Sequence, residues 1–261
     1  MTRPVLSISI VSHAQAQLVG ALLTDLQESS AQVQLEVCLT INVPEDLPHV
    51  LAGLPYAVKI IRNPSPLGFG ENHNRALRLA EGDYFCVMNP DIRITSNIFS
   101  ALLSELKDAY VGVVAPLVVN KNGEIEDSAR FFPTPFKIIC KALGQCKGGD
   151  YVVGEARIFP DWVGGMCMLL RREVYWQAGG FNEKFFLYYE DVDLCARIWL
   201  QGLKVAVIPQ VSVVHDAQRS SHRKWTYLVH HVRSMMRFFM SPVCWRALYL
   251  RRARGHRDSG I

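Results

Sequence analysis

The first 115 residues alternate between two hydrophobic periods, and that alternation narrows the fold more than any other feature. Residues 5–11 set Leu6, Ile8 and Ile10 against Val5, Ser7, Ser9 and Val11, the two-residue period of a strand. From about Gln15 to Gln27 the period lengthens, and Leu18, Leu22 and Leu26 fall in register along a helix. Strand-like runs return at 34–41, 57–62, 83–88 and 111–115, with helical patterns at about 71–81 and 97–108 between the later ones. Strand, helix and strand repeated at this spacing predict a parallel-sheet α/β domain. Ligands of such sheets bind beyond the carboxyl ends of the strands. The loops after Val11, Ile41, Ile61 and Met88 therefore share one rim.

Further along, Asn122-Gly123 signals a turn within 118–125. Residues 133–160, with prolines and Gly148-Gly149, read as an irregular loop. A strand at 162–170 is interrupted by Gly164-Gly165, where a backbone or a ligand can come close. Another strand runs over Val205–Val214. No apolar run reaches the roughly 18 residues of a membrane span, and the N-terminal run reads as a strand, not a leader. Seven scattered cysteines form no CxxC pair, which favours a reducing, cytoplasmic setting.

The richest stretch is FFLYYEDVDLC at 185–195, where aromatics run into three carboxylates that open a helix. Leu194, Cys195 and Ile198 follow Asp191 at i+3, i+4 and i+7, and Gly202 closes the pattern. Asp191 is thus placed to take a proton from a bound hydroxyl. Alternatively, Glu190, Asp191 and Asp193 only complement the positive helix end. Gly68 and Gly70 precede a helix, as a phosphate-binding turn or as a plain loop. Asn89-Pro90-Asp91 ends a buried strand, either to hold a divalent cation or to start a turn. His215 ends another strand beside Asp216, Arg219, Ser220, Ser221 and His222, and is a structural histidine or part of an anion or metal site.

Taken in order, VSHA at 11–14, LGFGENHN at 67–74, NPDI at 89–92, DWVGGMCMLLRR at 161–172, FNEKFFLYYEDVDLCARIWLQG at 181–202 and VVH at 213–215 resemble bacterial family 2 glycosyltransferases. They look most like the rhamnosyltransferase branch that builds O-antigen and related cell-surface polysaccharides. The resemblance covers about residues 5–222. It implies an α/β GT-A fold, a Rossmann-like mixed sheet with flanking helices, together with a nucleotide-sugar donor, Mg²⁺ or Mn²⁺, and inversion at the anomeric carbon. By the same resemblance Asp191 matches the catalytic base, with Glu190 beside it. Asp91 matches the surviving acid of the metal motif, its partner acid replaced by Asn89, and His215 matches a histidine that reaches the metal or diphosphate.

The resemblance further implies donor contacts at Ser12, His13, Asn42, Gly68, Gly70, Asn74, Asn89, Asp91 and Arg219. Acceptor contacts are expected at Trp162, Gly164, Gly165, Tyr188 and Tyr189. Ile41-Asn42 stands where the family carries Asp-Asn, and Ala14 where it often carries Asn. The expected donor is a dTDP-sugar, most readily dTDP-L-rhamnose, and the expected acceptor a polyprenyl-diphosphate-linked saccharide. A UDP- or GDP-sugar, a non-lipid acceptor, or a non-catalytic binding module are the alternatives.

From Ala217 onward ten Lys/Arg accompany one acid, a net +9, whereas the first 216 residues hold eighteen basic and twenty-three acidic residues, a net −5. The expected organisation is a catalytic domain at 1–216 and a basic amphipathic appendage at 217–261, divided into two helices near Pro242. Basic residues such as Arg251, Arg252 and Arg254 interleave with aromatics, as in segments that lie on an anionic membrane surface. A helix pair packed on the catalytic domain is the other reading. Nucleic acid is not an expected partner, because the basic residues avoid the acidic body. The resulting expectation is a cytoplasmic protein, peripheral on the inner face of the plasma membrane.

Overall fold

The computed structural model describes residues 5–46, 49–142, 149–151, 153–216 and 224–258. The first half runs β1 (Leu6–Ser12), α1 (Ala16–Ser30), β2 (Leu35–Ile41), β3 (Ala57–Arg62), α2 (Phe69–Leu79), β4 (Tyr84–Met88), β5 (Ile92–Arg93), α3 (Phe99–Glu105) and β6 (Val111–Val119). The second half runs β7 (Ala129–Arg130), α4 (Pro135–Ala142), β8 (Trp162–Val163), β9 (Cys167–Arg171), α5 (Arg172–Gln177), α6 (Glu190–Leu200), β10 (Lys204–His215), α7 (Lys224–Phe239) and α8 (Pro242–Asp258). Among the described residues, eight strands form one sheet in the order β3-β2-β1-β4-β9-β6-β10-β5, and β7 pairs with β8 in a separate ribbon. The sheet is parallel except at β9, antiparallel to β4 and β6, and at β5, antiparallel to β10.

The central strands are buried on both faces, so they read as apolar runs. Cys86, Met88 and Leu169 face the α1 and α3 layer, whereas Phe85, Val87, Met168 and Leu170 face α2, α5 and α6. β1 departs from the usual meaning of alternation, because its serines are buried rather than wet. Ser7 donates to Glu36 at 2.6 Å, and Ser9 pairs with the His73 ring at 2.7 Å under α2. The strand expected at 162–170 is two pieces in different sheets, broken at Gly164–Met166. The irregular stretch at 133–160 contains α4.

Beyond β10, the two tail helices close on the outer side of α6. Phe238, Cys244 and Ala247 are buried with Phe132, Phe185, Tyr189, Val192 and Ala196. Pro242 is the first residue of α8, a position where its missing N–H costs nothing. Arg251 pairs with Asp161 at 2.6 Å and lies 4.2 Å over the Phe131 ring. That part of the tail is packed on the body.

Candidate active site

One end of the site is made by strand pairing. β5 runs against the end of β10 with Ile92 opposite His215, and the Asp216 N–H bonds the Asp91 carbonyl at 2.8 Å. This sets Asp91 Oδ2 3.3 Å from His215 Nε2. On the other flank β6 accompanies β10, then turns back through Asn120 and Gly123, whose φ of +79° suits glycine. The Glu126 N–H returns to the Val118 carbonyl, and Glu126 Oε2 comes within 2.8 Å of His215 Nδ1. His215 thus lies between two carboxylates. Its pKa is pushed up to about 9, chiefly by the hydrogen bond to Asp91, against burial and with help from Glu126.

The donor set fits a divalent cation. Asp91 Oδ1 is buried without a hydrogen-bond partner. The 3.3 Å edge between Asp91 and His215 is near the roughly 3 Å between adjacent ligands of a cation with bonds of about 2.1 Å. Among the described residues no cluster of three or more His, Cys, Asp or Glu forms a cage. A cation held here by two protein groups would complete its shell with diphosphate oxygens and water, a usual arrangement for Mg²⁺.

The other end is made by a strained turn. Tyr188 and Tyr189 both take positive φ, 70° and 67°, immediately before α6. Such backbone costs on the order of 1–3 kcal/mol per residue and persists where surroundings enforce it. Here α7 does so: His230 stacks on Phe186, His231 meets the edges of both tyrosines, and the Ser234 hydroxyl donates to the Leu187 carbonyl. The result puts Asp191 in the first turn of α6, where Oδ1 accepts the Val192 N–H at 2.8 Å and Oδ2 the Gly165 N–H at 3.0 Å. Burial raises the pKa of Asp191, while the Gly165 and Val192 amides favour its ionised form. Glu190 is more deeply buried, its Oε2 has no hydrogen-bond partner, and burial together with the Asp191 charge raises its pKa further above the usual range. As expected, Leu194, Cys195 and Ile198 face the core, and Gly202 follows α6 with φ +86°.

The two ends share one rim through the backbone. The Asn89 N–H bonds the Met166 carbonyl at 2.8 Å, next to the Gly165 that holds Asp191, and Asn89 leads through Pro90 to Asp91. Insertion of β9 beside β4 creates this link.

Several expected contacts do other work. Asn42 uses all four of its hydrogen-bonding positions inside the protein, on His13, Asn63 and both backbone groups of Leu67. Asn74 likewise binds Tyr175, Glu183 and both backbone groups of Phe181. Through these bonds Asn42 pins the 63–68 loop and Asn74 the start of the 181–189 loop. Gly68 and Gly70 lie where the backbone comes close to the 181–186 loop. A Cβ at Gly68 would lie 2.9 Å from the Phe186 carbonyl, and one at Gly70 2.5 Å from the Phe181 Cβ. The Leu67 and Phe69 amides are already bonded to Asn42 and Phe186.

Ser12 is buried and accepts the Gln15 N–H, while His13 is exposed on the rim. Trp162 donates its indole N–H to the Phe131 carbonyl, the Gly164 N–H bonds the Ser128 carbonyl, and Gly165 donates its N–H to Asp191. Tyr188 is exposed and Tyr189 buried. Arg219 lies outside the described residues. Glu126 and Arg130 escaped notice in the sequence, and only the turn at 122–123 hinted at the first. Arg130 stands 5.6 Å over Trp162, and its charge favours ionised Asp191.

A mixed sheet with an antiparallel insertion and a polar rim defines the GT-A type of glycosyltransferase fold. Solved structures agree: a mannosyltransferase from Pyrobaculum calidifontis with GDP-Man and Mn²⁺ superposes with TM-score 0.59 at 18% identity, covering 97% of this chain and 76% of that one. GalNAc-T7 with UDP, GalNAc and Mn²⁺ gives 0.58 at 16%, covering 82% and 44%. The family model for glycosyl transferase family 2 matches residues 7–178, and the chain belongs to that family. A second model, N-terminal domain of galactosyltransferase, matches 157–223. Among relatives, the N-acetylglucosaminyl-diphospho-decaprenol L-rhamnosyltransferase of Mycobacterium tuberculosis is 27% identical over 187 residues, 64% of this chain. The chain spans 61% of that relative's length. The rhamnosyltransferase WbbL of Escherichia coli K12 is 25% identical, covering 82% of this chain and 84% of its own.

Proposed function

We propose that this chain is an inverting glycosyltransferase that moves a sugar, L-rhamnose from dTDP-L-rhamnose, onto a hydroxyl of a polyprenyl-diphosphate-linked saccharide. The observation that carries this reading is the rim itself, with Asp191 and the Asp91–His215 pair joined through Gly165, Met166 and Asn89. Asp191 accepts the proton of the acceptor hydroxyl as its oxygen bonds to the anomeric carbon. The bond from that carbon to the diphosphate oxygen breaks on the opposite side, which inverts the centre. Asp91 and His215 would hold Mg²⁺ or Mn²⁺, and a bound cation supplies charge neutralisation for the departing nucleoside diphosphate. Burial and the Asp191 charge disfavour ionised Glu190, whereas the Gly165 and Val192 amides favour ionised Asp191, which makes Asp191 the better proton acceptor of the two. The rhamnosyl group follows the names of two relatives and the lipid-diphosphate acceptor the name of the first, whereas the dTDP carrier rests on the sequence resemblance alone.

A membrane-bound acceptor also suits α7. Trp225, Val229, Val232, Met236 and Met240 repeat along one side of it, all exposed, with Arg233 exposed nearby. Among the described residues no helix is long and apolar enough to cross a membrane. An apolar stripe flanked by cations lies in an anionic interface instead. On this reading the enzyme works at the inner face of the plasma membrane, and the exposed stripe of α7 supports that reading.

The test is release of nucleoside diphosphate from dTDP-, UDP- and GDP-sugars, with Mn²⁺ and a polyprenyl-diphosphate GlcNAc acceptor. The expected result is turnover of dTDP-L-rhamnose that depends on the acceptor. Turnover confined to a UDP- or GDP-sugar would refute the donor assignment.

A further inference from the structure

We propose that Glu126 is a positioning residue of the cation site, acting through His215. The proposal rests on the reading above that Asp91 and His215 bind a divalent cation. An imidazole ring can present either nitrogen to a metal, and the hydrogen bond at the other nitrogen decides which. In this protein Nδ1 is the more closely held nitrogen, 2.8 Å from Glu126 Oε2, while Nε2 lies 3.3 Å from Asp91 Oδ2, on the side where the cation would sit. A carboxylate behind a ligating histidine fixes the ring and strengthens it as a ligand.

The backbone gives this contact a definite origin. Glu126 sits just past the turn that reverses the chain after β6, its N–H bonded to the Val118 carbonyl and its carbonyl accepting the Ser128 N–H. Because β6 pairs with β10 through Val118 and Val213, the returning chain delivers Glu126 to the flank of His215 away from Asp91. The three side chains come from three separate segments: Asp91 just before β5, Glu126 past the turn that follows β6, and His215 at the end of β10. Register alone lines them up as carboxylate, imidazole and carboxylate.

The test titrates Mn²⁺ into the full chain with saturating dTDP or UDP and follows loss of the free-Mn²⁺ electron paramagnetic resonance signal. Wild type, Glu126→Ala, Glu126→Gln, His215→Ala and the Glu126→Ala/His215→Ala double variant are compared, each checked for a cooperative thermal melt. Glu126→Ala should weaken Mn²⁺ binding by about 10–100-fold. Glu126→Gln keeps an oxygen for the Nδ1–H and should fall between wild type and Glu126→Ala. The double variant should bind no more weakly than His215→Ala alone, since Glu126 has nothing left to position. Unchanged affinity in Glu126→Ala, or losses that add in the double variant, would overturn the proposal while leaving the cation reading intact. A wild type that binds no Mn²⁺ with either nucleotide would overturn both.

Discussion

The two ends of the rim show upward pKa shifts of opposite meaning. At the Asp91 end, carboxylates surround an imidazole and raise its pKa to about 9, so a positive charge is welcome there. At the Asp191 end, burial raises two carboxylates, so negative charge is unwelcome yet is partly stabilised by two backbone amides. The construction differs too. Strand register fixes the first end, whereas the second depends on two residues with positive φ braced by α7. The comparison teaches that strand register alone can set an imidazole between two carboxylates, whereas seating Asp191 and Glu190 at the start of α6 takes a strained turn.

The largest expected effect comes from the base end. Asp191→Asn keeps shape but loses the proton acceptor, so transfer should drop by about 10²–10⁴-fold or more. Steady-state kcat with saturating donor measures this, and near-normal turnover would move the base elsewhere. Next in size is the cation end. Asp91→Ala should weaken Mn²⁺-dependent dTDP binding by at least the roughly 10–100-fold typical of outer-shell changes. Excess EDTA should abolish turnover in wild type, and activity that survives EDTA would break the contrast by making Asp91 a turn residue.

The exposed stripe of α7, the helix that braces the Asp191 end, gives a smaller effect. Replacing Trp225 and Val229 with serine and Arg233 with glutamate should weaken binding to anionic vesicles several-fold, given about 1 kcal/mol per basic residue near such a surface. Donor hydrolysis in solution should be unaffected. Arg251 is unsuited to this test because it is paired with Asp161. Equal binding to neutral and anionic vesicles would contradict the interfacial role. The smallest effect is thermodynamic. Because the folded-state pKa of Glu190 lies above 4.5, its contribution is most favourable below about pH 4.5 and declines as pH rises through the folded value. Glu190→Gln should therefore melt higher than wild type at pH 7 and converge with it near pH 4. Parallel melting curves across that range would show that burial of Glu190 is not the cause.

Much of this was legible in the residues. The period-2 and period-3.6 runs marked β1, α1, β2, β3, β4, α6 and β10 because packing enforces those periods, and Asp91, Asp191 and His215 stood beside the ends of the last three. What stayed hidden was long-range pairing. Nothing local in WVGGMCMLL says that Trp162 and Cys167 belong to different sheets, or that β9 enters antiparallel between β4 and β6. The Gly165 amide on Asp191, the Glu126 contact on His215 and the saturated side chains of Asn42 and Asn74 all depend on such pairings. A polar residue on a rim can thus have its hydrogen bonds taken up by its own protein.

The central claim is a division of labour between the ends, and binding of donor nucleotide separates them most directly. Calorimetric titration of dTDP with Mn²⁺ into wild type, Asp191→Asn and Asp91→Ala should give matching affinities for the first two and a marked loss for the third. An equal loss in Asp191→Asn and Asp91→Ala, or none in Asp91→Ala, would contradict the account.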